Sequence, residues 1–132
     1  MGALKLKSRQ WVVDEEDRII IGEGRKEILE TIERTGSINQ TAKIMKMSYK
    51  AVWSKIKATE SYFHASIVDA DRKRGSRLTR EGKALLEKYT ALKNRCIEEE
   101  NRIFESIFHQ EHHQRGTQSK AKVGGTDDFR KR

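Results

Sequence analysis

Apolar positions recur at helical spacing through most of the chain and break into alternation in two short stretches. Leu4, Leu6, Trp11, Val12 and Val13 stand among lysines and arginines, Asp14-Glu15-Glu16-Asp17 interrupts them, and Ile19-Ile20-Ile21 follows. That order predicts an N-terminal β-hairpin with an acidic turn. Ile28, Leu29 and Ile32 then repeat as one helical face from about Gly24 to Thr35, and Gly36 supplies the residue that tolerates positive φ at a helix end.

Ser37 is placed to cap a second helix, with Gln40 three residues on to complete a capping box and Ile38, Thr41, Ala42 and Met45 on its inner side. Lys46-Met47 make a short turn. Ser48 caps a third helix whose inward stripe is Ala51, Val52, Ile56, Thr59 and Phe63 and whose outward stripe is Lys50, Ser54, Lys57 and Ser61. Tyr49 and Trp53, four apart, share a flank. His64 at the end of this helix is expected to interact with its negative pole.

After Phe63 the pattern alternates through Ser66-Ile67-Val68-Asp69, and Arg72-Lys73-Arg74-Gly75-Ser76-Arg77 leads to Leu78. This predicts a short basic β-hairpin, a wing. Thr79 opens a long helix with Glu81 near its positive end. Leu85, Tyr89, Leu92, Cys96, Ile103 and Ile107 repeat along it, and Leu86, Ile97, Phe104 and Phe108 widen the stripe. At ~1.5 Å per residue such a helix reaches roughly 45 Å, beyond what a small head covers. Its outer half is therefore expected to pack against a second subunit. From His109 to Arg132 no periodicity remains, and disorder is expected there.

The charge balance sharpens this picture. Charged residues make up 36% of the 132 and hydrophobic ones 35%, with a net charge of +8 and a pI near 9.7. A modest core under a strongly basic surface suits a polyanionic partner, although a merely soluble basic protein fits equally well until the motifs are counted. One cysteine, Cys96, excludes an internal disulfide and fits a reducing cytoplasm. No apolar run is long enough for a bilayer, and the N-terminus lacks the apolar core of a secretory signal.

A helix that reads DNA needs a rigid inner face, outward donors and an N-terminal end that approaches the groove. Helix three meets these needs in pattern. Lys50 can donate to guanine O6 or N7, Tyr49 to phosphate or sugar, and Ser48 can meet a phosphate at the helix start, whereas Lys57 is better placed for backbone. Ser37 and Ser54 complete the candidate set on the helix pair. Arg72, Lys73, Arg74 and Arg77, with Arg80 beyond, would track phosphates or enter a minor groove. Taken alone that run is as easily a solvated charge cluster. Trp53 reads more readily as a packing residue than as a groove contact.

Gly36-Ser37-Ile38, Ala42-Lys43 and above all Met47-Ser48-Tyr49-Lys50 with Trp53 and Ile56 resemble the helix-turn-helix of ModE-type molybdate-responsive transcription regulators. Leu78-Thr79-Arg80 to Gly82 and Leu85-Leu86 resemble the helix after the wing in that family, and LysR-type regulators share a looser form of the pattern. The resemblance runs from about Gly22 to Phe108. It implies a dimeric winged helix-turn-helix protein on a palindromic operator, with Ser48, Tyr49, Lys50 and Ser54 at the major groove. No segment here matches the oxyanion-binding domains that family members carry, so no bound oxyanion is expected in this chain.

The expected architecture is mainly α with small β. A winged helix-turn-helix head with an N-terminal β-hairpin spans residues 1–78, a long dimerisation helix 79–108, and a tail 109–132. Leu85, Tyr89, Leu92, Cys96, Ile103, Phe104 and Ile107 are the expected dimer interface. The expected partners are double-stranded DNA and a second copy of the chain, with no membrane, no cofactor and no metal. No glycine-rich phosphate loop, carboxylate pair or zinc spacing supports an enzyme. His109, His112 and His113 would share a helix face that could hold a transition metal, but a solvated helix end is the simpler reading. A protein-interaction adaptor and a non-specific chromatin-type DNA binder are the alternatives to a sequence-specific, cytoplasmic transcription regulator.

Overall fold

The computed structural model describes residues 3–109, with side chains through Phe108. The expected tail beyond His109 and the His112/His113 pair lie outside the described residues. The chain divides into two compact units, residues 8–95 and residues 1–7 with 96–132.

The first unit holds two hairpins and a helical trio. Strand β1 (Val12–Val13) pairs antiparallel with β2 (Ile19–Ile21). The hairpin is thus much shorter than the sequence pattern suggests, and Leu4 and Leu6 lie outside any strand. Helix α1 (Glu23–Thr35) ends at Gly36, which takes φ 72° and donates its N–H to Ile32 O at 2.7 Å. Helix α2 (Ile38–Met45) is opened by Ser37, whose Oγ accepts from Gln40 N at 3.0 Å. Only this half of the expected capping box is recorded, because the Ser37 N–H donates to Thr35 Oγ1 at 3.2 Å.

Lys46 makes the turn in the left-handed region, φ 57°, and Ser48 Oγ then accepts from Ala51 N to start α3 (Tyr49–Phe63). Ile28, Leu29, Ile32, Ile38, Ala42, Val52 and Ile56 from these three helices meet Ile21, Ile67, Val68, Leu78 and Tyr89 in one core. Phe63, expected on the inward stripe, is exposed instead, where it meets Tyr62 edge-on at 5.1 Å.

Strand β3 (Val68–Asp71) pairs with β4 (Gly75–Leu78) in the register Val68↔Leu78 to Asp71↔Gly75. Three residues, Arg72, Lys73 and Arg74, form the loop, and Gly75 at φ 90° follows in the left-handed position that such loops require. Thr79 caps α4 (Arg80–Phe104) by accepting from Gly82 N at 3.0 Å and donates its hydroxyl to Ser66 O at 2.7 Å. Gly82 lies against the strand base. A Cβ there would sit 2.2 Å from Ile67 O, so only glycine fits without moving α4.

Tyr89 corrects an expectation. It is 2% exposed and belongs to the core, where its hydroxyl donates to Gln10 O at 2.7 Å. Burial and the Glu23 carboxylate push its pKa up to about 12, so it stays a neutral donor. Leu85 also packs against the core. Tyr89 is withdrawn by its burial from the expected dimer face, while Leu85 stays half-buried. Beside them Lys93 Nζ meets Glu23 Oε2 at 2.6 Å, and that bond from Lys93 leads the effects that hold Glu23 below the usual carboxylate range.

In the second unit the end of α4 passes into a π-helical turn over Glu105–His109. Phe104 and Phe108 stack at 4.9 Å, while Ile103 is 56% exposed and Ile107 is also open.

Candidate nucleic-acid interface

The site rests on α3. Val52, Ile56 and Thr59 are buried on its inner side, which fixes the rotation of the helix and turns Tyr49, Lys50 and Ser54 outward. Tyr49 is 47% exposed, and Lys50 and Ser54 are exposed. Among the described residues, none of the three side chains is held in a hydrogen bond or ion pair that would compete with an incoming ligand. Ser37 and Ser48 each accept a backbone N–H through Oγ, which leaves each hydroxyl proton free to donate. Tandem caps therefore do two things: they start the helices and aim small donors out of their positive ends.

Lys57 stands differently from Lys50. Its Nζ is 3.1 Å from Glu60 Oε1 and lies over the Trp53 ring, 4.6 Å from the centroid. The outward stripe thus contains one uncommitted lysine and one already engaged. Trp53 packs against the core at one side and carries this cation on its face, so the packing reading of the residue holds.

The wing presents its cations on a built loop. Asp71 Oδ1 accepts from Lys73 N at 2.8 Å and from Arg74 N at 3.3 Å, which closes the turn and leaves the side chains of Arg72, Lys73 and Arg74 exposed. Arg74 Nε is 3.9 Å from Asp71 Oδ2, a long and solvated pair. Arg77 is exposed and stands across the ladder from Asp69. Ser76 N donates to Gly36 O at 2.9 Å, so the wing leans on the end of α1.

Sequence reasoning missed Glu60. It is 9% exposed and accepts from Ile67 N at 2.8 Å and Val68 N at 3.3 Å through Oε2. Burial pushes its pKa up, but the N–H of Ile67, the Lys57 ammonium and the N–H of Val68 together outweigh this and hold it below the usual carboxylate range. A glutamate three residues before a helix end reads as a solvated charge. Its one available signal is that it falls beside the apolar stripe. Arg25 is a half-buried cation without an obvious sequence pattern. It donates to Ile19 O and, at 3.2 Å, to Thr59 Oγ1, and burial lowers its pKa.

Residues 25–83, from early α1 to the first turn of α4, match the family model "Bacterial regulatory helix-turn-helix protein, lysR family". That segment, under half of the chain, is similar to the helix-turn-helix domain of LysR-type regulators. Among solved structures, the CbnR DBD–DNA complex is similar at TM-score 0.52 and 18% identity over 63% of this chain and 94% of that one. Full-length CbnR complexed with its target DNA gives TM-score 0.52 and 18% identity over 64% of this chain. CbnR crystallised as "a LysR family transcriptional regulator" gives 0.51 at the same identity. The present chain spans 29% of the length of full-length CbnR. At this identity the likeness establishes the shared fold. No curated protein matches the sequence. The matched family is one of regulatory DNA-binding segments, which is not an enzyme class. Among the described residues no helix is long and apolar enough to cross a membrane, and no group of three or more metal-ligating side chains occurs.

Proposed function

We propose that this chain is a sequence-specific DNA-binding transcription regulator that enters the major groove with α3 and lays its wing along the backbone or an adjacent minor groove. The observation that carries the reading is the pairing of a buried inner stripe on α3 with uncommitted Tyr49, Lys50 and Ser54 on its outer side. Lys50, near the helix start, reads a guanine edge, and Ser48, Ser37 and Tyr49 position the helix on phosphates. Arg72, Lys73, Arg74 and Arg77 add sequence-blind affinity. Lys57 joins the backbone contacts only by leaving Glu60.

The regulator acts as a cytoplasmic homodimer. Leu92, Cys96, Ile103, Phe104 and Ile107 supply the interface, and the exposure of Leu92, Ile103 and Ile107 supports that role. The finer ModE-type reading rests on the Met47-Ser48-Tyr49-Lys50 segment. Selection of duplexes from a randomised pool tests the function directly. Enrichment of a palindromic motif is the expected result, and retention of the pool without enrichment contradicts it. Adding molybdate to the same selection tests the finer reading: a shift in enrichment supports a ModE-type response, and no shift leaves the coarser regulator reading alone.

A further inference from the structure

Two hydrogen-bonded systems meet at one carboxylate. Glu60 lies in the last turns of α3, and through Oε2 it holds the N–H groups of Ile67 and Val68, the residues that open the wing. Through Oε1 it holds Lys57, on the outward side of the same helix. A carboxylate that accepts from backbone N–H groups in a nearly closed setting is a strong and directional link. The opposite strand of the wing is fixed independently, because Ser76 N donates to Gly36 O and a Cβ on Gly75 would sit 2.7 Å from that same oxygen.

We propose that Glu60 is a positioning residue for DNA recognition, tethering the wing to the recognition helix so that both meet one duplex in a fixed register. The inference rests on the regulator reading above. It assigns a specificity role to a side chain that touches no base. A duplex presents its groove and the neighbouring phosphates at fixed separation, so a wing free to drift would still attract phosphate but would no longer favour the duplex that α3 reads. Reach, rather than charge, is the property the tether needs. Glutamine has the same length and an amide oxygen that can accept from Ile67 and Val68. Aspartate keeps the charge and is one methylene short.

The test compares Glu60→Gln, Glu60→Asp and Thr59→Val as full chains. Thr59→Val is the structural control, because Thr59 Oγ1 donates to Ile20 O at 2.7 Å and ties α3 to the other hairpin. The readout is the affinity ratio between a duplex enriched by the wild-type chain and its scrambled version, at fixed salt. Glu60→Gln should stay within about threefold of the wild-type ratio. Glu60→Asp should lose about tenfold, mainly on the enriched duplex, and its Ile67 and Val68 amides should exchange faster with deuterium. Thr59→Val should lower Tm and leave the ratio unchanged. An unchanged ratio in Glu60→Asp, or an equal loss in Glu60→Gln, overturns the tether. Should Glu60→Asp fail to fold, Glu60→Gln still decides, since a tenfold loss there overturns the proposal and retention supports it. A wild-type chain that enriches no sequence overturns the regulator reading, and this inference with it. An enriched sequence with an unaffected Glu60→Asp overturns the tether alone.

Discussion

The two hairpins of the first unit use the same devices and carry opposite charge. Neighbouring residues of α3 hold them: Thr59 bonds Ile20 O in the first, and Glu60 accepts from Ile67 N and Val68 N in the second. Each turn is closed by an aspartate. Asp14 Oδ1 accepts from Glu16 N at 2.8 Å and Arg18 N at 2.9 Å, and Asp71 Oδ1 accepts from Lys73 N and Arg74 N. Yet one tip reads Glu15-Glu16-Asp17 and the other Arg72-Lys73-Arg74. The fold demands the anchors, the aspartates and a left-handed residue at Asp17, φ 65°, and it makes no demand on the charge of the exposed tips. Their charge is therefore the part of each hairpin open to function, and the basic tip lies on the hairpin that follows α3.

The sharpest way to break the comparison is at the anchors. Gly82→Ala forces a Cβ toward Ile67 O, at the base of the wing. It should cost about 3 kcal/mol in urea unfolding, near the upper end for overpacking. The first hairpin has no equivalent glycine against its anchor. At the tips, replacing Arg72, Lys73 and Arg74 together by alanine should weaken binding to any duplex by about thirtyfold near 0.1 M salt and flatten the salt dependence by up to ~0.9 per lost phosphate contact. Glu15→Ala with Glu16→Ala should leave affinity within about twofold. Equal effects from the two tips would erase the functional difference drawn between them.

Acid should strain the two anchors unequally. Glu60 is ionised below the usual carboxylate range in the folded chain, so its contribution is complete above that range and fades as pH falls through the lowered value. Glu23, bonded to Lys93, adds the same sign. Thr59 does not titrate. Protection factors at Ile67 and Val68, exchange rates referred to their intrinsic values at the same pH, should therefore fall on acidification before that at Ile21 does. The smallest expected effect is at His64, which ends α3 in the left-handed region at φ 54°. His64→Gly should raise stability by about 0.5–1 kcal/mol, since glycine adopts that conformation without a Cβ penalty.

Much of this arrangement was legible in the sequence because it is local. Ser37, Ser48, Thr79 and Gly36 sit at helix ends, and a helix end selects its residue within one turn. Gly75 in the wing belongs to the same class. The first hairpin was overextended because alternating Leu4 and Leu6 resemble a strand although no partner pairs with them. Tyr89 and Leu85 fell on the same stripe as Leu92, and spacing alone does not tell which stretch of a long helix lies against the head. Lys57 read as a second free donor because its partner, Glu60, sits three residues along and is drawn inward by β3. Glu60 was invisible, and Gly82 was seen only as part of a motif without its reason, on one ground: both are defined by the backbone of Ile67, which reaches them only after the wing has folded back on α3 and α4.

The most direct test of the account is competition binding with wild-type and Lys50→Ala chains on the duplex that the wild type enriches and on its scrambled version. With Lys50 reading a base, the substitution costs about 1–3 kcal/mol on the enriched duplex and relaxes preference at one position, with little change on the scrambled one. Equal losses on both duplexes would make Lys50 a phosphate contact, and α3 would no longer be the element that reads sequence.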